Sequence, residues 1–329
     1  PPPRSPPSPP AIAMDTRPVT ADRLASSVIA VPPLARHSDR RWNHSANARL
    51  IAHMEAGGIR TLLYGGNAVL GHVGLEEYGE LLDQLAQQVS SSTLVIPSVG
   101  PGYGLMLEQA RLLRATTFPT AMLLPTRDPT TPAGIERSVE GFVAAFGRPA
   151  VLYLKAADTI DVAGVQRLKN AGLLAFVKYA VPRTDPTDDP FLSALCDAVG
   201  AEFLVSGMGE QPAIPHLKAF RLAGFTAGCV CLAPRLSQSL LRAIQAGDWE
   251  RVEALRQRLL PLEALRDALS PVRVLHEAIG LAGVAEMGPI TPPLSPLTDA
   301  QRTQVAAAAI ELLRFEESLA SSSSPRQVP

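Results

Sequence analysis

Lysine is scarce in this chain. Among 30 basic residues only Lys155, Lys169, Lys178 and Lys218 are lysines, so arginine carries nearly all the positive charge and cannot replace lysine as an amine nucleophile. Cysteine is scarcer still: Cys196, Cys229 and Cys231 are odd in number and form no CxxC or Cys/His cluster. That argues against a disulfide framework or a zinc site and fits reduced core thiols in a cytoplasmic protein. Net charge is nearly absent, at -1, which leaves no electrostatic footprint for nucleic acid or an anionic membrane. No apolar run approaches the roughly 20 residues of a membrane span. The N-terminus lacks the basic and apolar regions of a signal peptide. The expectation is a soluble, cytoplasmic protein whose partner is a small molecule or another protein.

What is present is a regular beat. At 329 residues and 46% hydrophobic, the chain has material for one large α/β domain or two ordinary ones. The opening "PPPRSPPSPP" and closing "SSSSPRQVP" are low-complexity tails, expected to be disordered over residues 1–20 and 320–329. Between them a short apolar run, a turn and an amphipathic helix recur eight times. The runs are "SSVIAVPP", "IRTLLYGG", "STLVIPSVG", "TAMLLPT", "PAVLYLKA", "LLAFVKYAV", "AEFLVSGMG" and "FTAGCVCLAP". Nearly continuous apolarity means both faces are covered, as a parallel sheet requires. No GxGxxG follows the first run, so the pattern predicts a (β/α)8 TIM barrel over 21–235 rather than a doubly wound sheet. From 236 to 319 the pattern is helical: the eighth barrel helix and a helical C-terminal domain, with Asp299 capping the last helix.

In such a barrel the catalytic groups lie at the carboxyl ends of the strands. Lys178 falls there in the sixth run and Lys155 in the fifth. Desolvation disfavours an ammonium, so a lysine pointing into the mouth is pushed toward a neutral amine that can attack a carbonyl and form a Schiff base. The competing reading has Lys178 snorkelling to the surface or pairing with a carboxylate.

The order of segments resembles the dihydrodipicolinate synthase and N-acetylneuraminate lyase family of class I aldolases over roughly residues 26 to 317. "LLAFVKYA" is similar to that family's "IIGIKEA", "LVSGMG" to "LLSGDD", and "AGFTAGCVCLAP" to its eighth strand. "SPVRVLHEAIGLAGVAEMGPITPPLSPL" is similar to "PIPVKWACKELGL" with its Pro-rich follow-on. The resemblance implies a barrel with a helical C-terminal domain, Lys178 as the imine-forming residue, and a dimer or tetramer. It implies no cofactor and no metal; no His/Glu/Asp cluster is evident at the strand ends.

Departures from the family pattern are specific. Its carboxylate-binding "GTTGE" falls on Gly65, Gly66, Asn67, Ala68 and Val69, leaving a backbone nest at Gly66 and Asn67 without the hydroxyl relay. Its "TPYYNKP" becomes "LPTRDPT", so Arg127 replaces a proton-shuttling tyrosine and either binds an anionic substrate group or turns to solvent. Its "LYNVPSRT" becomes "LYLKAADT": Asp158 replaces an arginine, which argues against dihydrodipicolinate synthesis itself. Tyr153 keeps its place there and is read as structural. Lys155 is new; it lowers the pKa of Lys178, forms the imine itself, or pairs with Asp158. His72, Tyr179, Ser206 and Glu210 are weaker candidates. The expected function is a Schiff-base lyase, an aldolase or dehydratase, acting on a 2-oxo acid such as pyruvate or a 2-keto-3-deoxy sugar acid. The alternative is a degenerate barrel that binds a sugar acid or a protein without turnover.

Overall fold

The computed structural model describes residues 14–126 and 129–322. The strands are β1 (Ile29–Ala30), β2 (Thr61–Tyr64), β3 (Leu94–Val99), β4 (Ala121–Leu123), β5 (Ala150–Leu154), β6 (Leu174–Tyr179), β7 (Leu204–Ser206) and β8 (Gly224–Ala227). Each pairs in parallel with the next, and β8 returns to β1, so among the described residues the sheet closes into a barrel of the expected (β/α)8 kind. The helices are α1 (Ala21–Ser26), α2 (His44–Ala56), α3 (Leu75–Gln88), α4 (Tyr103–Arg114), α5 (Pro132–Phe146) and α6 (Val162–Asn170). They continue with α7 (Pro190–Val199), α8 (Glu210–Phe220), α9 (Pro234–Ala246), α10 (Trp249–Leu269), α11 (Pro271–Leu281) and α12 (Asp299–Ser322).

Period-two alternation sorts the strand residues into two apolar layers. Ile29, Leu63, Ile96, Met122, Val151, Phe176 and Val205 fill the barrel interior, while their neighbours, such as Leu62, Leu152, Val177 and Phe225, pack outward against the helices. Leu24 of α1 joins the interior set and closes the amino-terminal end. Gly224 permits this, because a Cβ there would lie 2.5 Å from the Leu24 carbonyl oxygen.

Within the stretch 1–20 expected to be a disordered tail, residues 1–13 lie outside the described residues, and those from Met14 onward are placed on the fold. Met14 and Asp15 are buried; the Asp15 carboxylate accepts from Arg17 and pairs with Arg23 at 2.9 Å. At the other end α12 runs past 320, to Ser322. Its cap is Thr298 rather than Asp299: the Thr298 hydroxyl accepts from Gln301 N–H, and the Gln301 side chain accepts from Thr298 N–H. That reciprocal pair is a capping box, and it places Asp299 inside the first turn.

Candidate active site

Lys178 stands on β6 beside Tyr153 of β5, its register partner. Both belong to the inward-facing parity, above Phe176 and Val151, so their side chains meet in the barrel mouth. The Lys178 Nζ lies 4.2 Å from the centre of the Tyr153 ring. Lys178 is 4% exposed, so it does not snorkel. Burial, reinforced by the like charge of Lys155, pushes its pKa down to about 7. Room for the lysine stem comes from Gly207 at the end of β7, where a Cβ would fall 2.9 Å from Lys178 Cγ.

Lys155 is exposed at the end of β5, its Nζ 5.9 Å from the same tyrosine ring. Among the described residues it makes no ion pair with Asp158, which is also exposed. What the structure gives Lys155 is a like charge that reaches Lys178. Tyr153 is the residue that sequence reasoning undervalued. Its phenol is pushed up to about 12 by burial and so keeps its proton at neutral pH, beside the amine. Two steps of alternation from Val151, together with the parallel register to β6, would have placed it there.

Across the mouth, the turn after β2 carries Gly66, exposed, and Asn67, half-buried. Val69 N–H donates to the Gly66 carbonyl and Leu70 N–H to that of Gly65, which leaves the N–H groups of Gly66 and Asn67 outside the turn's own bonds. Asn67 Nδ2 donates to the Val31 carbonyl at 2.8 Å and so ties this turn to the end of β1. His72 is exposed. Arg127 lies outside the described residues; its neighbour Thr126 is half-buried and lines a cavity. That cavity, about 290 Å³, opens at the ends of β4 and β5 and is bounded by Tyr153, Leu124 and the first turns of α4 and α5.

Tyr179 and Ser206 face the other way. The Tyr179 hydroxyl donates to Asp189, and Ser206 Oγ is 2.9 Å from Nδ1 of the buried His216. Both couple the barrel wall to its outer helices. Glu210 opens α8, where it meets Cys229 and Glu263 with ligand atoms within 4.8 Å of one another. An acidic cluster does therefore form beyond the ends of β7 and β8, contrary to the sequence reading; Glu263 comes from α10, too remote in sequence to be anticipated. The cluster brings its own cation. Arg266 lies 3.5 Å from Glu263 and fills the space a Cβ on Gly228 would occupy, so the donor set suits an internal ion pair better than a metal.

The sequence matches the model of the Dihydrodipicolinate synthetase family over residues 28–312, and the chain belongs to that family. Membership supports a lyase of the class I aldolase type. Among solved structures, dihydrodipicolinate synthase from Bacillus clausii is similar at 22% identity and TM-score 0.78, covering 90% of this chain and 99% of that one. YagE, a prophage protein of E. coli K12 solved in complex with pyruvate, is similar at 20% identity and TM-score 0.76, covering 87% and 98%. Proteus mirabilis N-acetylneuraminate lyase is similar at 17% identity and TM-score 0.74, covering 88% and 98%. At these identities the likeness shows the fold alone. No curated protein matches the sequence significantly. Among the described residues no helix is long and apolar enough to cross a membrane.

Proposed function

We propose that the protein is a Schiff-base lyase acting on a 2-oxo acid, with Lys178 as the amine and Tyr153 as the proton carrier. The observation that carries this reading is a buried amine, its pKa lowered to about 7, held 4.2 Å from a tyrosine ring. Neutral Lys178 attacks the C2 carbonyl, a proton of the amine passes to the oxygen, and with one further proton from solvent the hydroxyl leaves as water, giving a protonated imine; the final hydrolysis returns that solvent proton. The Tyr153 π-face favours that cation by about 0.5–2 kcal/mol. Loss of a C3 proton to solvent turns the imine into an enamine. In the condensing direction C3 attacks an aldehyde carbon, and the Tyr153 O–H supplies a proton to the aldehyde oxygen. Solvent reprotonates the phenolate, balancing the proton lost from C3, and one water hydrolyses the imine. Cleavage is the reverse.

In this reading the Gly66 and Asn67 N–H groups receive the substrate carboxylate, while Lys155 raises the local positive potential. Arg127 selects for an anionic group from the loop after β4. The absence of an arginine at Asp158 argues against dihydrodipicolinate synthesis itself. Borohydride reduction in the presence of pyruvate is expected to fix a covalent adduct on the peptide containing Lys178, found by mass spectrometry. No adduct with pyruvate or with a panel of 2-keto-3-deoxy sugar acids would overturn the reading and favour a barrel that binds without turnover.

A further inference from the structure

We infer that Val69 is a positioning residue for the substrate carboxylate: its strained left-handed backbone closes the turn after β2, and the strain makes closure of that turn depend on a bound anion. This rests on the assignment of the carboxylate to that turn and names the residue that controls it. Two hydrogen bonds close the turn. Leu70 N–H donates to the Gly65 carbonyl at 3.3 Å, and Val69 N–H donates to that of Gly66 at 3.0 Å. With Val69 at φ 54° and ψ 32° between them, this pattern is a Schellman motif, whose left-handed position normally belongs to glycine and sometimes to asparagine. Here a β-branched residue holds it, for which that backbone is an outlier. Among the described residues, the other non-glycine residues of positive φ are Arg40 and Arg221, both exposed and unbranched at Cβ.

The surroundings hold the strain in place. Ala68 and Leu70 are buried on either side of Val69, Leu70 belongs to the same core as Tyr64, and Asn67 Nδ2 ties the turn to the end of β1. Gly65 packs so closely that a Cβ there would lie 2.9 Å from Met122 Cε. The residues before such a closure are helical, so the N–H groups of Gly66, Asn67 and Ala68 run parallel. None of the three donates to a described residue. A Cβ on Gly66 would meet nothing within 4 Å, so the turn is open on that side.

Without an anion this closure is marginal. A left-handed valine costs about as much as the two closing bonds return. A carboxylate tips the balance, because hydrogen bonds to an ionised acceptor are the stronger kind and parallel N–H groups suit an anion. Closed turn and bound carboxylate therefore favour each other. A residue at 69 that suits left-handed backbone raises the closed fraction and with it the apparent affinity for the carboxylate.

The test compares full-length wild type with Val69→Gly, Val69→Asn and Val69→Pro. The readout is the ratio of borohydride trapping efficiencies at Lys178 for pyruvate and for its uncharged methyl ester. Val69→Gly and Val69→Asn accept left-handed backbone and are each expected to raise the ratio ~3-fold or more. Val69→Pro fixes φ near the helical value and removes the N–H, so it is expected to lower the ratio ~10-fold or more while methyl pyruvate still traps Lys178. A ratio unchanged or lowered in either Val69→Gly or Val69→Asn would mean that the turn needs no anion to close, and overturns the inference. So does a folded Val69→Pro with the wild-type ratio; if circular dichroism shows that variant unfolded, the other two decide alone. Absence of any adduct in wild type instead fails the imine reading. Lactate, which has the carboxylate and no ketone, is then titrated into the same proteins. Tighter lactate binding in Val69→Gly and Val69→Asn than in wild type is expected, and equal or absent binding overturns the inference.

Discussion

With its pKa held at about 7 by burial and by Lys155, the Lys178 amine is half neutral near that pH, and imine formation climbs as the proton leaves. The acid limb of kcat/KM is expected near pH 7. Lys155→Ala removes the like charge, so the limb moves to higher pH, and Lys155→Glu moves it further; an unmoved limb would show that Lys155 does not act on Lys178. The same residue carries a stability sign. A lysine whose folded pKa is depressed binds fewer protons folded than unfolded, between about 7 and the ordinary lysine value. Its burial therefore subtracts stability at neutral pH, a loss that fades as pH rises through that window. Lys178→Met is accordingly expected to abolish the adduct and yet raise stability at pH 7 by on the order of 1 kcal/mol or more, read from urea midpoints. Tyr153→Phe keeps the ring over Nζ but removes the O–H. Trapping is expected to persist while turnover falls ~10²–10⁴-fold. Lys178 was legible because it interrupts an apolar run in a lysine-poor chain. Tyr153 was not, because an inward tyrosine in a strand looks like any core aromatic until the register with β6 is known.

Among the described barrel helices, α3, α4, α8 and α9 begin without a local side-chain cap, and the last two are served from the C-terminal helices. Gly209 precedes α8 and Ala233 precedes α9, and neither offers a side-chain acceptor. Their exposed N–H groups are met from the C-terminal helices instead. Glu263 of α10 accepts from Glu210 N–H at 3.2 Å and Gln211 N–H at 2.9 Å. Glu316 of α12 accepts from Arg235 N–H at 2.9 Å and Leu236 N–H at 3.0 Å. Both acceptor groups are buried, and at Glu316, which also pairs with the Arg235 side chain at 3.1 Å, negative charge at the helix N-terminus adds to the bonds. A missing N-cap is visible in sequence; the glutamate that replaces it, some 50 or 80 positions away, is not. Glu263→Ala would leave Arg266 without its carboxylate and α8 uncapped, at a cost of ~3 kcal/mol. Burial and the neighbouring Glu210 raise the pKa of Glu263 well above the ordinary carboxylate value. A group raised in the folded state costs nothing below its unfolded pKa and loses stability progressively as pH climbs toward the folded one. Wild type is thus expected to lose stability through this pair from mildly acidic to alkaline pH, and Glu263→Gln to flatten that slope in denaturation curves measured across pH. An unchanged slope would remove the pair from the account.

At the scale of the whole chain, the barrel was legible because eight apolar runs recur with turn signals between them; seven contain an observed strand and the eighth overlaps β8, which starts one residue earlier, at Gly224. The switch to helices after β8 was legible for the same reason. What periodicity does not carry is how firmly α10–α12 are bound to the barrel, since that depends on contacts between segments far apart in sequence. The capping carboxylates supply part of the answer. Trp249 at the start of α10 supplies another, since the Lys218 ammonium of α8 sits 4.3 Å from its ring. Charges and caps shared across the boundary make separate unfolding costly, because either half alone would expose uncapped helix ends and buried carboxylates. The barrel and the C-terminal helices are therefore expected to unfold as one cooperative unit. The chain has two tryptophans, and they report on the two parts: Trp42 is buried in the loop after β1, under the Arg36 guanidinium, and Trp249 lies on α10. Fluorescence of Trp42→Phe and Trp249→Phe, each retaining one probe, should give coincident urea transitions once each variant's own stability is referenced to circular dichroism. A Trp249 transition at distinctly lower urea than the loss of helicity would mean that the C-terminal helices undock first and that Glu263 and Glu316 do not bind the two parts into one unit.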